Sequence, residues 1–159
     1  MSKVKVQNRN AVIESLQQQV ANAFVLYANY KKYHWLSYGP LFRDLHLLFD
    51  EHAKAVLDAI DEFGERVRIL GGVPLADPRQ FAERGTVEVT TADQSMRQMV
   101  EEAARNHRRV IQEMREAINT ADEAGDPGTA DLFTRILQIH EKQEWFLREV
   151  LARQDGLIG

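Results

Sequence analysis

Apolar residues recur at spacings of three and four along most of the chain, the period that places side chains on one face of an α-helix. The first stripe predicts a helix over about residues 10–36, and the second predicts a helix over about residues 41–70. Gly39-Pro40 separates the two, because proline cannot continue a helix. Gly71-Gly72 ends the second helix, so the first half of the chain predicts two long helices joined by a short turn.

The second half of the chain predicts two more long helices after a longer connection. Residues 71–91 form this connection, in which a short helical turn is predicted around residues 77–83. The third helix is expected to start near Thr91 as its N-cap, and the fourth at Asp126, with Pro127 in the first helical position. Two short turns and one long middle connection are typical of a ferritin-like four-helix bundle, so we expect an all-α fold whose crossover carries a short helix.

Composition narrows the chemistry that is available to this fold. The chain has no cysteine, so metals must be held by His, Asp and Glu, which suit iron, manganese or zinc. Its 159 residues suit one domain, which we expect over residues 10–153 between an N-terminal tail (1–9) and a C-terminal tail (154–159). A polar N-terminus and the lack of a long apolar run predict a soluble, cytoplasmic protein.

Residues that can ligate a metal concentrate on the first two predicted helices. The usual di-iron site inside a bundle needs Glu-x-x-His pairs, and the chain contains none. His34 and His46 flank the first turn, whereas Asp61 and Glu65 lie one helical turn apart further along the second helix. The residues between His46 and Asp61 span roughly 22 Å of helix, so one helix cannot bring both ends to one ion. A shared site requires a second subunit across a two-fold axis.

Spacing alone does not select these residues as ligands. Asp58 and Glu62 are also four residues apart, and such pairs on helices usually belong to solvated faces. A single histidine is more often a structural residue than a ligand. We interpret His52, His107 and His140 as structural, and an accessory metal role is the alternative for His52, which lies on the apolar stripe of the second helix.

The order and spacing of these residues resemble the ferroxidase signature of the Dps family, which are ferritin-like mini-ferritins. The resemblance extends over nearly the whole chain, and its motif is long enough to make accidental agreement improbable. The matching positions are His34-Trp35, Gly39-Pro40, Phe42, Leu45-His46, Asp61, Glu65-Arg66, Leu70-Gly71-Gly72, Gly125-Asp126, Thr129-Ala130-Asp131-Leu132, Glu141-Lys142 and Trp145.

The resemblance implies a ferroxidase that acts on Fe(II). His34 and His46 of one subunit, with Asp61 and Glu65 of its two-fold mate, would bind two irons per centre, and Glu65 would bridge them. The implied oxidant is hydrogen peroxide, with dioxygen as the other choice, and ferric iron would be stored in a homododecameric shell that protects against oxidative damage. Zinc or manganese could replace iron on the same ligands.

The resemblance also implies accessory and pore residues. Trp35 would pack against the iron site and quench stray radicals, although a core or interface aromatic is the alternative. Apart from the resemblance, Asp50 lies one turn from His46 and could orient its imidazole. Iron would enter near the start of the last helix, where Asp126 and Asp131 match the acidic funnels of the family. Asp126 equally suits a simple N-cap.

Some members of the family bind DNA through basic N-terminal tails. Lys3, Lys5 and Arg9 form a modest basic set here, and many tails on one shell could act together. The net charge of −4 per chain opposes this, because it repels phosphate. A stress-protective shell that compacts DNA, with iron chemistry secondary and a nucleoid location, is therefore the less favoured alternative.

Overall fold

Four long helices and one short helix make up the computed structural model, which describes the backbone of residues 3–152 and the side chains of residues 8–152. The described residues contain no strand. The packed pairs are α1 with α2 and α4 with α5, and α1 also contacts α4. The prediction of an all-α ferritin-like bundle with a short helix in its crossover is confirmed. The helices are α1 (Lys3–Leu36), α2 (Phe42–Ile69), α3 (Pro78–Arg84), α4 (Met96–Glu123) and α5 (Pro127–Leu151).

The apolar stripes of the four long helices meet in one core. Phe49 and Phe63 of α2 and Phe133 of α5 are completely or almost completely buried, and the rings of Phe63 and Phe133 lie 5.7 Å apart. Burial of each aromatic side chain stabilises the fold by about 1.5–3 kcal/mol. None of the described helices is apolar enough over a sufficient length to cross a membrane.

Two helix starts differ from the predictions. The backbone of α1 is helical from Lys3, seven residues before the predicted start, and residues 3–9 contain no glycine or proline that would end a helix. The predicted N-cap of α4 at Thr91 is wrong, because Ser95 caps this helix and forms a reciprocal capping box with Gln98. Gln94, which a capping box at Thr91 would need, instead bonds Thr90 and Glu102.

The start of α5 agrees with its prediction. The carboxylate of Asp126 accepts from the backbone N–H of Thr129 at 3.0 Å, and Pro127 occupies the first turn. Asp77 caps the short helix α3 in the same way, through the backbone N–H of Arg79. Both caps satisfy a backbone donor that the first turn of a helix leaves without an intrahelical partner.

The crossover is held along α1 by amide side chains. Asn29 donates to the carbonyl of Glu88 at 2.8 Å and accepts from the N–H of Thr90 at 3.0 Å. Similar bonds to crossover backbone come from Gln17 and Asn22 of α1 and from Asn106 of α4. These amides give the backbone of the crossover hydrogen-bond partners that it does not find in regular secondary structure, and they tie it to the bundle.

Candidate metal centre

His34 and His46 face each other across the turn between α1 and α2. Their imidazole rings stack with centroids 3.7 Å apart and planes inclined by 21°. Nδ1 of His34 donates to the carbonyl of His46 at 2.6 Å, and Nδ1 of His46 donates to the carbonyl of His34 at 2.8 Å. A carbonyl can only accept, so each Nδ1 carries a proton, and Nε2 is the nitrogen of each ring that is left to bind a metal.

Asp61 and Glu65 lie one turn apart on α2 and are exposed. Among the described side chains, neither carboxylate forms an ion pair. Asp58 and Glu62 are the other carboxylate pair with this spacing on α2. In that pair, Glu62 is bound by the guanidinium of Arg135. An arginine competes with a metal for the oxygens that it holds. Local pairing therefore favours Asp61 and Glu65 over Asp58 and Glu62.

The histidines and the carboxylates are separated within one chain. No group of three His, Cys, Asp or Glu in the described part of the chain is arranged to hold a metal ion. His46 and Asp61 belong to the same continuous helix, which separates them by roughly 22 Å. The assignment of all four residues to one centre remains a prediction, and it depends on a second subunit.

Asp50 does not orient His46 as predicted. It accepts from Lys31 at 2.8 Å and pairs with Lys54 at 2.9 Å. Hydrogen bonds from these two ammonium groups, Lys31 first, hold the pKa of Asp50 far below its usual range. The carbonyl of His34 takes the bond from Nδ1 of His46 that Asp50 was expected to accept.

Trp35 is 71% exposed in the single subunit. The ammonium of Lys31 lies 5.9 Å from the centroid of its ring, within the range of a cation–π contact. Trp35 is therefore not a core residue of one chain, and its interface and metal-site interpretations both stay predictions.

The two predicted pore residues have different surroundings. Asp126 caps α5 and accepts from the guanidinium of Arg66 at 2.5 Å. Burial opposes ionisation of Asp126, but the hydrogen bonds from Thr129 and the charge of Arg66 outweigh it, so its pKa is lowered. Asp131 is exposed and lines a groove of about 250 Å³ together with Glu65, although Arg66 and Arg135 line the same groove. Its position leaves it the better candidate for guiding cations, and this role remains a prediction.

A cluster that the sequence did not reveal lies in the bundle core. Tyr30, His52, His107 and His140 come from α1, α2, α4 and α5 respectively, and none is more than 4% exposed. They are connected by hydrogen bonds between their side chains. The structural interpretation of the three histidines therefore misses their mutual contact.

A register count along the helices is the signal that could have found this cluster. His52 lies ten residues after the start of α2, His107 eleven after the start of α4, and His140 eleven before the end of α5. At equal rise per residue, these positions fall in one layer of the bundle. The count needs the helix starts, and that of α4 was predicted wrongly.

Comparison with known proteins gives the class of the fold and then the family. The family model for ferritins, described as a ferritin-like domain, matches residues 13–156. The structure is similar to Dps from Thermosynechococcus elongatus, with a TM-score of 0.96 and 48% identity over 99% of this chain and 100% of that one. This chain belongs to the Dps family of ferritin-like proteins.

Two further relatives extend the comparison. DNA protection during starvation protein 1 of Deinococcus radiodurans is 38% identical over 88% of this chain and 68% of its own length. A Dps protein of Vibrio cholerae, described as a member of a broad superfamily of ferritin-like diiron-carboxylate proteins, has a TM-score of 0.87 and 25% identity over 92% of each chain.

Proposed function

We propose that this protein is a ferroxidase that oxidises Fe(II) with hydrogen peroxide, or with dioxygen, and stores ferric iron in a cytoplasmic dodecameric shell. Each centre takes two irons, with His34 and His46 from one subunit and Asp61 and Glu65 from its two-fold mate. The observation that carries the proposal is the reciprocal bonding of the two imidazoles to backbone carbonyls, which leaves both Nε2 atoms available.

The chemistry of the donors suits iron. Imidazole binds Fe(II), and anionic carboxylate oxygens stabilise the ferric product, so the set favours oxidation. Few protein ligands would leave positions on the metal open for the oxidant. Zinc or manganese could occupy the same donors and compete with iron. The diiron-carboxylate description of the Vibrio cholerae protein supports iron as the substrate.

An exposed apolar surface next to the histidines supports the shared centre. Trp35, Tyr38, Phe42 and Leu47 are between 42% and 71% exposed around the turn that carries His34 and His46. Apolar surface of this kind on one chain is typical of an interface. Covering it with a second copy would also bring in the carboxylates that one chain lacks at this position.

Complementation between two inactive variants tests the shared centre. His34→Ala and Asp61→Ala should each abolish rapid iron oxidation when present alone. In a mixed pair, one of the two centres keeps both histidines and both carboxylates, so co-expressed variants should recover about a quarter of the wild-type rate. The measurement is the rise of ferric absorbance after addition of Fe(II) and peroxide.

Asp58→Ala is the matched control, because Asp58 is also an exposed carboxylate on α2. It should oxidise iron at the wild-type rate. Full activity of His34→Ala or Asp61→Ala would remove these residues from the centre. Mixed shells that stay as inactive as the single variants would place the centre within one chain and contradict the proposal.

DNA protection is the second candidate function, and the names of relatives favour it. One of them is a nutrient stress-induced DNA-binding protein of Nostoc, 33% identical over 93% of this chain. Arg9 is exposed, whereas the side chains of Lys3 and Lys5 lie outside the described residues. A gel-shift titration at two salt concentrations tests this function, since a complex held by phosphate contacts must weaken as salt rises.

A further inference from the structure

A chain of hydrogen bonds crosses the centre of the bundle through all four long helices. The hydroxyl of Tyr30 hydrogen-bonds to Nε2 of His107 and lies 3.2 Å from Nδ1 of His52. Nδ1 of His107 lies 2.8 Å from Nδ1 of His140. Tyr30 is 1% exposed and His107 is fully buried, so water has no access to the middle of this chain.

The protonation state of the chain follows from burial. Burial lowers the pKa of His52 and of His140 to about 4 and that of His107 well below its usual value, and it raises the pKa of Tyr30. All three imidazoles are thus neutral and the phenol is protonated at neutral pH. When Tyr30 donates to Nε2 of His107, the proton on Nδ1 of His107 must point to His140.

We propose that Tyr30 is a redox-active tyrosine whose phenol proton moves to His107 when the ring loses an electron. The proposal rests on the proposed function, since iron and peroxide chemistry supplies the one-electron oxidant, a hydroxyl radical. The radical takes the electron and a solvent proton and becomes water. Tyr30 becomes a neutral phenoxyl radical and His107 an imidazolium. Fe(II) then returns an electron to Tyr30, and the proton moves back from His107.

The neighbouring base, His107, makes Tyr30 easier to oxidise. A phenol that has lost an electron is a very strong acid, whereas the imidazole of His107 remains a base even though burial lowers its pKa. The proton therefore passes to His107, which leaves the Tyr30 ring neutral and places the positive charge on the imidazole. His107 can pass its Nδ1 proton on to His140, so the positive charge moves away from the radical along bonds that already exist.

Tyr30 also lies close to the candidate iron ligands. It precedes His34 by one helical turn, about 6 Å along α1. The ring of Tyr33 stands edge-on to that of Tyr30, with centroids 5.9 Å apart. An oxidant that forms near His34 is therefore close enough to take an electron from Tyr30. The radical that remains on Tyr30 is buried away from solvent.

Tyr33 is the competing site for the radical. Its hydroxyl donates to the carboxylate of Glu102, which is also a base, and Tyr33 is equally buried. The two sites differ in the atom that receives the proton, a histidine nitrogen for Tyr30 and a carboxylate oxygen for Tyr33. This difference gives a spectroscopic test that needs no substitution.

The test uses the assembled, iron-free protein and a photogenerated one-electron oxidant, a ruthenium tris-bipyridine complex with persulfate. Samples are frozen after the flash and examined by electron paramagnetic resonance. We expect a tyrosyl signal that is lost in Tyr30→Phe and retained in Tyr33→Phe and in Tyr38→Phe, whose ring is 56% exposed. In protein whose histidines carry the heavy nitrogen isotope, the wild-type radical should show coupling to a histidine nitrogen.

His107→Gln tests the role of the base. Glutamine can accept a hydrogen bond from Tyr30 but cannot take its proton, so the radical yield should fall sharply while circular dichroism and native mass stay unchanged. A signal that persists in Tyr30→Phe, that is lost in Tyr33→Phe, or that lacks histidine coupling would overturn the proposal. The labelled wild-type protein decides the point even if a variant fails to fold.

The same samples separate this proposal from the proposed function. With Fe(II) and peroxide, we expect the Tyr30 radical in wild-type shells and its loss in Asp61→Ala shells. Asp61 lies outside the cluster, and without it iron is no longer held near His34, while a hydroxyl radical formed in solution does not reach the buried Tyr30. A Tyr30 radical under photo-oxidation in a protein that does not oxidise iron would overturn the ferroxidase proposal alone. Rapid iron oxidation with no Tyr30 radical under either oxidant would overturn the tyrosine proposal alone.

Discussion

Three histidines in the bundle core are held neutral by burial. His52 and His140 have pKa values lowered to about 4, and His107 has a pKa well below its usual value. In the unfolded chain each would titrate near 6.5. Between the folded and the unfolded pKa values, the unfolded chain therefore binds more protons than the folded chain. This difference makes the free energy of unfolding depend on pH.

We expect the free energy of unfolding to fall as the pH drops from about 6.5 towards 4. Stability from these groups is fully present above the unfolded pKa and is lost as the pH falls through the folded pKa. His52 and His140 each contribute on the order of 3 kcal/mol of this loss. Urea unfolding of the native assembly as a function of pH measures this. His52→Gln should have a shallower slope than wild type, and an equal slope would contradict the assignment.

At the scale of the element, the crossover depends on side chains of α1 more than on its own regular structure. Between α3 and α4 the chain has no regular secondary structure, and the amide of Asn29 bonds the backbone of Glu88 and of Thr90. Asn29 is 2% exposed, so these bonds are shielded from water. Backbone groups that lose such partners bear a desolvation penalty.

Asn29→Ala should loosen the crossover without unfolding the bundle. Two hydrogen bonds between a buried amide and partly buried backbone are lost, at a cost of about 1–3 kcal/mol. The measurement is hydrogen exchange, in which the amide of Thr90 should lose protection while amides in the middle of α2 keep it. Asn119→Ala is the control, because Asn119 is an exposed asparagine of α4. Unchanged protection at Thr90 would contradict the proposed anchoring.

At the scale of the whole molecule, the outer face near the histidines is unusually apolar for a surface of a single chain. Leu47 of α2 is 42% exposed and follows His46 directly. If this face is covered by a second copy, assembly and iron oxidation depend on the same contact. Disrupting the interface should then affect both properties together.

Leu47→Asp should lower the native mass and the rate of iron oxidation in parallel. A charge at an apolar interface loses hydration without gaining a partner, and this opposes association. Native mass spectrometry and ferric absorbance on the same preparation measure the two effects. Gln112→Asp, on an exposed position of α4, should change neither. Loss of assembly with wild-type oxidation would show that the centre needs no second subunit.

Local patterns in the sequence determined most of the architecture. The three- and four-residue period, the Gly39-Pro40 break and the Asp126-Pro127 start predict the helices to within one or two residues in most places, because each depends on neighbours in the chain. The same holds for the choice of His34 and His46, whose residue types and positions beside one turn are visible in the sequence.

Contacts between distant side chains were decided only by the tertiary structure. Two capping boxes fit the start of α4 equally well by pattern, and Gln94 is unavailable to Thr91 because Thr90 and Glu102 bind it. Asp50 is close to His46 in sequence, but two lysines compete for its carboxylate.

The buried Tyr30 cluster is the clearest case of contacts that the sequence pattern does not predict. Its four side chains come from four helices, and their contact depends on the register between those helices. The crossover amides contribute to this register, and their partners lie about sixty residues away in the chain. Periodicity identifies the face on which a residue lies, whereas packing decides which residue it meets.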